Sequence, residues 1–308
     1  MAITGSGTQA DPWIVHNYTE LKTACENSSP AVHYVELAND INCNDYGTDF
    51  IWNTITVGNR YYADWTTHLD LKGHTIKNVQ VASNGYMFYN DSDAVGSTIK
   101  NGKILNVFLN GANAFSLNAS FENVSISING SGSKSSIFEG RPTVGTPTIT
   151  SCAIYIEMSV LTHAIFSSYI LSNTDIKLLI SDNNQTLVFA YGSATDCRIR
   201  GKISGAATLQ SNNYIVLGYY NLYGGSNCTF TNCVIDIDAS EMTYSISGPE
   251  FTMICPFNDA GYNTNVICKS EFPSGAPIPN VWNYMTHSEI RNGDTLRAKG
   301  FVVVNVSA

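Results

Sequence analysis

A short apolar triplet with a large central side chain returns at regular intervals through the middle of the chain. By subtraction of residue numbers, successive central residues lie 27, 23, 28, 23, 28 and 37 positions apart. Self-similarity at a period in the twenties is typical of repeat architectures, in which each turn of chain stacks on the one before. We name this series the phenylalanine ladder; its central residues are Phe88, Phe115, Phe138, Phe166, Phe189, Leu217 and, more loosely, Ile254.

A second series, the asparagine ladder, consists of segments that open with a polar turn residue before Val, Cys or Ile. Asparagine suits such a turn because it tolerates left-handed backbone geometry and can hydrogen-bond to the rung below. Short strands that recur at this spacing can stack as parallel sheets around a shared dry interior. The segments begin at Asn78, Asn106, Asn123, Ser151, Thr174, Asp196, Asn232 and Asn265.

The two ladders together predict an all-β fold, a parallel β-helix or solenoid, over residues 68–270. A β-sandwich would show hairpin signals about every 8 to 12 residues, which is shorter than the repeat. A β-propeller would repeat about every 40 residues or more, which only the last steps approach. The phenylalanine side chains are therefore expected to point into the core.

Residues 1–67 are predicted to form an N-terminal cap, because the first rung of a solenoid must be covered to stay soluble. The cap comprises a strand at Trp13–Val15, a short helix over 18–25 with Thr19 as its N-cap, and a strand at 33–37. An aromatic-rich insertion follows at 44–65. It either packs over the first rung or forms a glycan-contacting or partner-contacting surface. The candidate contact residues there are Trp52, Tyr61, Tyr62 and Trp65.

Residues 271–308 begin with a segment rich in proline and are predicted to form a small C-terminal β element. This element is either a closing cap or an oligomerisation and anchoring contact, as in a trimer. Trp282 and Tyr284 are further candidates for contact with a glycan or partner.

The sequence argues against a nucleic-acid partner and against a membrane span. The formal net charge is −9 and no basic run occurs, whereas a nucleic-acid-binding protein needs clustered Lys and Arg. No segment reaches the 18 or so consecutive apolar residues of a membrane-spanning helix. The first eight residues carry neither a charged leader nor an apolar run, so we expect a protein made in the cytoplasm without a cleaved signal.

The eight cysteines form no C-x-x-C pair, so we expect no metal site and no cofactor. Cys152, Cys197 and Cys233 recur at one position of the repeat, which predicts small, reduced, buried side chains stacked on one another.

Paired carboxylates on one face of a strand are the groups that cut polysaccharides by acid–base chemistry. Asp236 and Asp238, two residues apart in the asparagine ladder, and the nearby Glu241 are the candidates. Carboxylates on the wet face of a strand more often serve solvation, so we expect a protein without catalytic activity.

Three segments carry a resemblance to a known group of proteins. Residues 5–21 and 34–41 resemble the N-terminal cap, and residues 69–79 the first coil, of right-handed parallel β-helix proteins. That group includes adhesins with GLUG-type repeats and bacteriophage tailspike, head-fibre and virion-decoration proteins. Because adhesins normally carry a secretion signal, the resemblance favours the bacteriophage branch.

The resemblance implies a structural virion protein that is exposed on the particle as a fibre, spike or capsid decoration. It would associate with itself as a homotrimer and with other virion proteins, and it would bind host-surface polysaccharide. The alternatives are a polysaccharide-depolymerising tailspike, acting as a glycoside hydrolase or lyase, and a bacterial surface adhesin.

Overall fold

The structure is a computed structural model of the 308-residue chain. It describes a set of segments that become short towards the C-terminus. They are residues 3–47, 49–59, 65–82, 84–90, 96–111, 114–131, 136–140, 146–159, 164–181, 187–210, 229–247, 263–264, 267–268 and 283–284.

The described residues form 24 strands, one α-helix and one 3-10 helix. The α-helix α1 spans Tyr18–Cys25 and the 3-10 helix spans Cys43–Tyr46. The first twelve strands are β1 Trp13–Val15, β2 Val32–Leu37, β3 Ile41–Asn42, β4 Ile55–Asn59, β5 Trp65–Asp70, β6 Thr75–Gln80, β7 Tyr86–Asn90, β8 Thr98–Asn110, β9 Ala114–Leu117, β10 Ser120–Ser131, β11 Ser136–Glu139 and β12 Thr148–Thr150. The remaining twelve are β13 Ala153–Ser159, β14 Ala164–Ser172, β15 Asp175–Ser181, β16 Leu187–Thr195, β17 Arg198–Ile203, β18 Gly205–Gln210, β19 Thr229–Thr231, β20 Val234–Asp238, β21 Met242–Ser247, β22 Asn263–Thr264, β23 Ile267–Cys268 and β24 Asn283–Tyr284.

The strands pair in three series, and every pairing between the described strands is parallel except that of β4 with β5. The phenylalanine ladder contains β4, β7, β9, β11, β14 and β16. The asparagine ladder contains β3, β6, β8, β10, β13, β15, β17, β20, β23 and β24. A third series, which we name the connecting ladder, contains β1, β2, β5, β8, β10, β12, β14, β16, β19 and β22.

The predicted fold class, a right-handed parallel β-helix solenoid, is wrong. Twenty-two strands belong to one hydrogen-bonded sheet, and this sheet closes into a nine-stranded barrel with further strands outside it. The three ladders are joined into one sheet by four long strands, β8, β10, β14 and β16, each of which pairs in two ladders at once. Only β18 and β21 lie apart, as a two-stranded parallel sheet.

Left-handed residues make the bends where the connecting ladder passes into the asparagine ladder. Asn101 and Asn123 have φ values of 59° and 54°, and Asn123 Nδ2 donates to Asn101 Oδ1 at 3.2 Å. The predicted role of asparagine as a left-handed, laddered turn residue is thus confirmed. Further left-handed residues between these two ladders are Lys72, Gly73, Ser151, Asn173, Asp196 and Asn232.

The predicted asparagine series merged two columns of the sheet. Val107 lies opposite Ile128, not Val124, because the register between β8 and β10 shifts by one residue at a bulge. Asn78 and Asn106 therefore belong to one column and Asn123 to another.

The phenylalanine ladder fills the core as predicted. Phe88, Phe115, Phe138 and Phe166 are fully buried. Their ring centroids lie 6.3, 5.1 and 5.0 Å apart in succession, within the range in which aromatic rings attract one another. The backbone of Phe189 continues the column opposite Phe166, whereas Leu217 and Ile254 lie outside the described residues.

The N-terminal helix spans the predicted residues, but its cap differs. Asn17 is the N-cap, and its Oδ1 accepts from the Glu20 N–H at 3.0 Å. Thr19 lies inside the helix. Asn17 precedes Glu20 by three residues, which is the spacing that an N-cap side chain needs.

The cysteines of the repeat are buried and unpaired, as predicted. Cys152, Cys197 and Cys233 occupy matched positions, with Thr174 taking the place of a cysteine between the first two. Burial raises the pKa of the Cys152 thiol to about 11, which keeps it protonated and unreactive.

Candidate functional site: an open groove on the outer face

The outer face of the asparagine ladder carries a column of in-register residues along five adjacent strands. These are Phe108, Asn129, Glu157, Leu179 and Lys202, each opposite the next. With strands about 4.8 Å apart, the column is roughly 20 Å long. We name it the outer column.

The outer column lines an open groove of about 500 Å³. The other lining residues lie beside it on the same strands, and they add small polar and apolar surface. They are Gly130, Met158, Ser159, Ile180, Ser181 and Ser204. Phe108 is 41% exposed, which is unusual for a phenylalanine in the middle of a sheet and leaves its ring available to a ligand.

Polar contacts hold the side chains near the middle of the groove. The Tyr155 hydroxyl donates to Glu157 Oε2 at 2.7 Å, and Lys177 Nζ lies 5.3 Å from the centre of the Tyr155 ring. Burial and the neighbouring Glu157 carboxylate raise the pKa of Tyr155 to about 12. Tyr155 therefore stays protonated and keeps donating to Glu157 at neutral pH.

An ion pair between residues that precede Leu179 and Lys202 on their strands fixes β15 and β17 together. Arg200 donates to Asp175 through Nη2 at 2.8 Å and Nε at 3.3 Å. Asp175 is buried and Arg200 is about one-third exposed. A bidentate contact of this kind orients the guanidinium strongly, so it serves to position β15 against β17.

The predicted catalytic carboxylates lie together just beyond Lys202. Asp238 is opposite Lys202, Asp236 is opposite Arg200, and Glu241 accepts a short hydrogen bond from Lys202 Nζ. Asp238 Oδ1 accepts from the Ser240 hydroxyl at 2.6 Å and from its N–H at 3.0 Å. The structure thus brings the three candidates to one corner of the outer face.

Their environment does not favour acid–base catalysis. The hydrogen bonds from Ser240, together with the nearby Lys202 charge, lower the pKa of Asp238. A general acid that protonates a glycosidic oxygen needs a raised pKa. Glu241 is largely exposed and paired with Lys202. These carboxylates are best described as anchored surface groups.

The two predicted contact aromatics in the described part of the insertion are structural. Trp52 is fully buried and Trp65 is 7% exposed. Their indole N–H groups donate to the Met87 and Cys25 carbonyl oxygens, each at 3.1 Å. Because both side chains are buried, neither Trp52 nor Trp65 is available to a glycan. Tyr61, Tyr62 and Trp282 lie outside the described residues, and only the backbone of Tyr284 is described, in β24.

The groove residues Phe108 and Asn129 were not predicted from the sequence. The available signal is Phe108 itself, which stands at a polar position of an alternating strand, between the buried Val107 and Leu109. An aromatic residue in an outward position is a binding signal, whereas the tryptophans of the insertion lie at inward positions.

Within the described segments, no group of three His, Cys, Asp or Glu side chains could hold a metal ion. None of the helices described is long and apolar enough to cross a membrane. The residues of the groove offer hydrogen-bond donors, acceptors and one aromatic ring.

The described residues define an all-β protein with an open, elongated groove on its outer face. No protein-family model matches the chain, and no curated protein matches it. Among solved structures, that of a candidate immunoglobulin A1 protease from Bacteroides ovatus is similar, with a TM-score of 0.49 and 12% sequence identity. The similarity covers 87% of this chain and 86% of that one, and at this level it transfers no activity.

Proposed function

We propose that the protein is a non-enzymatic binding protein that holds a polysaccharide chain along the outer column. The observation that carries the proposal is the open groove of about 500 Å³ with five in-register side chains along it. A groove that crosses five strands suits an extended polymer better than a compact ligand.

The chemistry of the lining supports a glycan. Phe108 offers a flat apolar ring to the C–H face of a sugar, and Asn129, Glu157 and Lys202 offer amide, carboxylate and ammonium groups to its hydroxyls. A mostly apolar or neutral lining with a few placed polar groups is typical of ligand sites. The anchored state of Asp238 and Glu241 supports binding without cleavage.

Three points stay predictions from the resemblance. They are that the glycan is host-surface polysaccharide, that the protein lies on the surface of a bacteriophage particle, and that it assembles as a homotrimer. Mass spectrometry of purified particles and light scattering of the purified protein test the last two directly. A bacterial adhesin would instead be found on the cell that encodes it.

Phe108→Ala is expected to weaken binding of the protein to an immobilised polysaccharide at least tenfold. Truncating a central aromatic contact residue of a binding site costs about 2 kcal/mol or more, and about 1.4 kcal/mol already corresponds to a factor of ten. The measurement is binding to a printed panel of neutral, acidic and amino-bearing polysaccharides, followed by titration of the best binder.

Ile170→Ala is the matched control, because Ile170 is also 41% exposed but does not line the groove. It should leave affinity unchanged. Equal losses in both variants would contradict the groove as the site. Release of reducing ends from the bound polysaccharide, abolished by Asp236→Asn or Asp238→Asn, would show a depolymerase instead.

A further inference from the structure

Four asparagine side chains form a head-to-tail chain of amides that runs to the outer column. Asn78 Nδ2 donates to Asn42 Oδ1 at 2.8 Å, Asn106 Nδ2 donates to Asn78 Oδ1 at 2.6 Å, and Asn129 Nδ2 donates to Asn106 Oδ1 at 2.8 Å. Every amide in this chain points the same way, with its NH₂ group towards the N-terminal rung. Aligned amides of this kind polarise one another.

The direction of the chain is fixed at its N-terminal end. Asn42 Oδ1 also accepts from the Asn44 N–H at 3.3 Å, and Asn42 Nδ2 donates to Asp45 Oδ1 at 3.0 Å. If the Asn42 amide were turned over, its NH₂ group would face the N–H donors of Asn44 and Asn78. Its oxygen would face the Asp45 carboxylate, which is also an acceptor. The orientation of each later amide follows from that of Asn42.

At the other end the chain stops at an acceptor for which the described residues supply no donor. Asn129 Oδ1 is buried and has no hydrogen-bond partner within the segments that the structure describes. The residue opposite Asn129 on the next strand is Glu157, and its carboxylate cannot donate a hydrogen bond. The amide ladder is therefore interrupted at the rung where the groove is lined by both residues.

We propose that Asn129 Oδ1 and the Glu157 carboxylate form a subsite that accepts hydroxyl hydrogens from an uncharged glycan. The subsite rests on the proposed function of the groove and specifies which polysaccharide it takes. Glu157 is exposed, and among the described residues Tyr155 is its hydrogen-bond partner. In this subsite the Glu157 side chain changes rotamer to admit the sugar, and one hydroxyl group then donates to Asn129 Oδ1 or to the carboxylate opposite it.

The charge of the outer face selects against acidic glycans. Glu157, Asp238 and Glu241 lie in or beside the outer column, and the neighbouring cations are engaged, Lys202 by Glu241 and Lys177 by the Tyr155 ring. A uronate would set its own carboxylate against acceptors and against this negative charge. A neutral chain presents hydroxyl donors without that repulsion.

Glu157→Gln tests the subsite through two opposite effects. The new amide can donate to Asn129 Oδ1 and continue the ladder, so the melting temperature should rise by about 1–3 °C. The same bond occupies the acceptor that the glycan needs, so affinity for a neutral polysaccharide such as mannan should fall at least tenfold. Glu122→Gln, at an exposed position of β10 away from the groove, should change neither quantity.

The probes are mannan as the neutral, chitosan as the amino-bearing and polygalacturonate as the acidic polysaccharide, alongside a wider panel of neutral glycans. If the wild-type protein binds neutral glycans and the Glu157→Gln variant has the same affinity or the same melting temperature, the subsite is overturned. The proposed function of the groove is then left intact. Preferential binding of polygalacturonate or chitosan also overturns it. A wild-type protein that binds no member of the panel overturns both.

Discussion

Phe138→Ala is expected to lower the free energy of unfolding by about 3–5 kcal/mol, the usual cost of removing a buried phenylalanine ring. Phe138 is fully buried. Its ring lies 5.1 Å from that of Phe115, 5.0 Å from that of Phe166 and 5.9 Å from those of Phe121 and Tyr169. Its removal leaves a cavity bordered by rings from the rung before it and the rung after it, and the rigid strands on both sides prevent the cavity from collapsing.

The measurement is denaturant-induced unfolding, followed by intrinsic fluorescence and by circular dichroism. Phe108→Ala is the control, since its side chain lies on the outer face and its loss should change stability by no more than about 0.5 kcal/mol. Similar losses in the two variants would contradict the assignment of Phe138 to the core and of Phe108 to the surface.

Much of the strand pattern could be predicted because local chemistry determines it. The recurrence of Phe138 and Phe166 at a spacing of 28 residues implied two strands that pair in parallel, and they do. The bends could be predicted from their asparagines, because asparagine itself tolerates left-handed geometry and its side chain can hydrogen-bond to the rung below.

Closure of the sheet could not be predicted, because it depends on whether hydrogen bonding continues through a bend. The repeat indicates that strands recur, and it says nothing about whether β8 stops at Asn101 or continues past it. In the structure it continues, since Asn101 turns the chain without ending the strand. The connecting ladder was missed for a related reason: its strands are short and merge with the next ladder.

A signal for the connecting ladder is visible once the bends are known. An apolar residue stands two positions before each of six left-handed residues, as Ile99 stands before Asn101 and Ile149 before Ser151; the six are Asn101, Asn123, Ser151, Asn173, Asp196 and Asn232. These apolar side chains are buried. The groove was missed because Asn129 and Glu157 are ordinary polar residues of outward strand positions, and only the register brings them together.

Gly201→Ala is expected to be the most damaging single-methyl change among the described residues that flank the groove. Gly201 has a φ of 139°, and a Cβ built on it would lie 1.8 Å from the Leu178 carbonyl oxygen of the neighbouring strand. No side-chain rotation relieves this overlap, because the backbone fixes the position of the Cβ atom and the Leu178 oxygen is itself a backbone atom. We expect a loss of at least about 3 kcal/mol, from steric overlap added to an unfavourable backbone conformation.

Gly111→Ala separates these two contributions. Gly111 also has a positive φ, 65°, but a Cβ there meets nothing within 4 Å. The free energy of unfolding should therefore fall by only about 1–2 kcal/mol, the cost of a left-handed alanine. Unfolding curves of the two variants give the comparison. Because Arg200 and Lys202 flank Gly201, separation of β17 from β15 would also displace Lys202 from the outer column. Gly201→Ala should therefore reduce polysaccharide binding as well as stability, whereas Gly111→Ala should reduce stability alone. Equal effects in the two variants would contradict the close approach of β15 and β17.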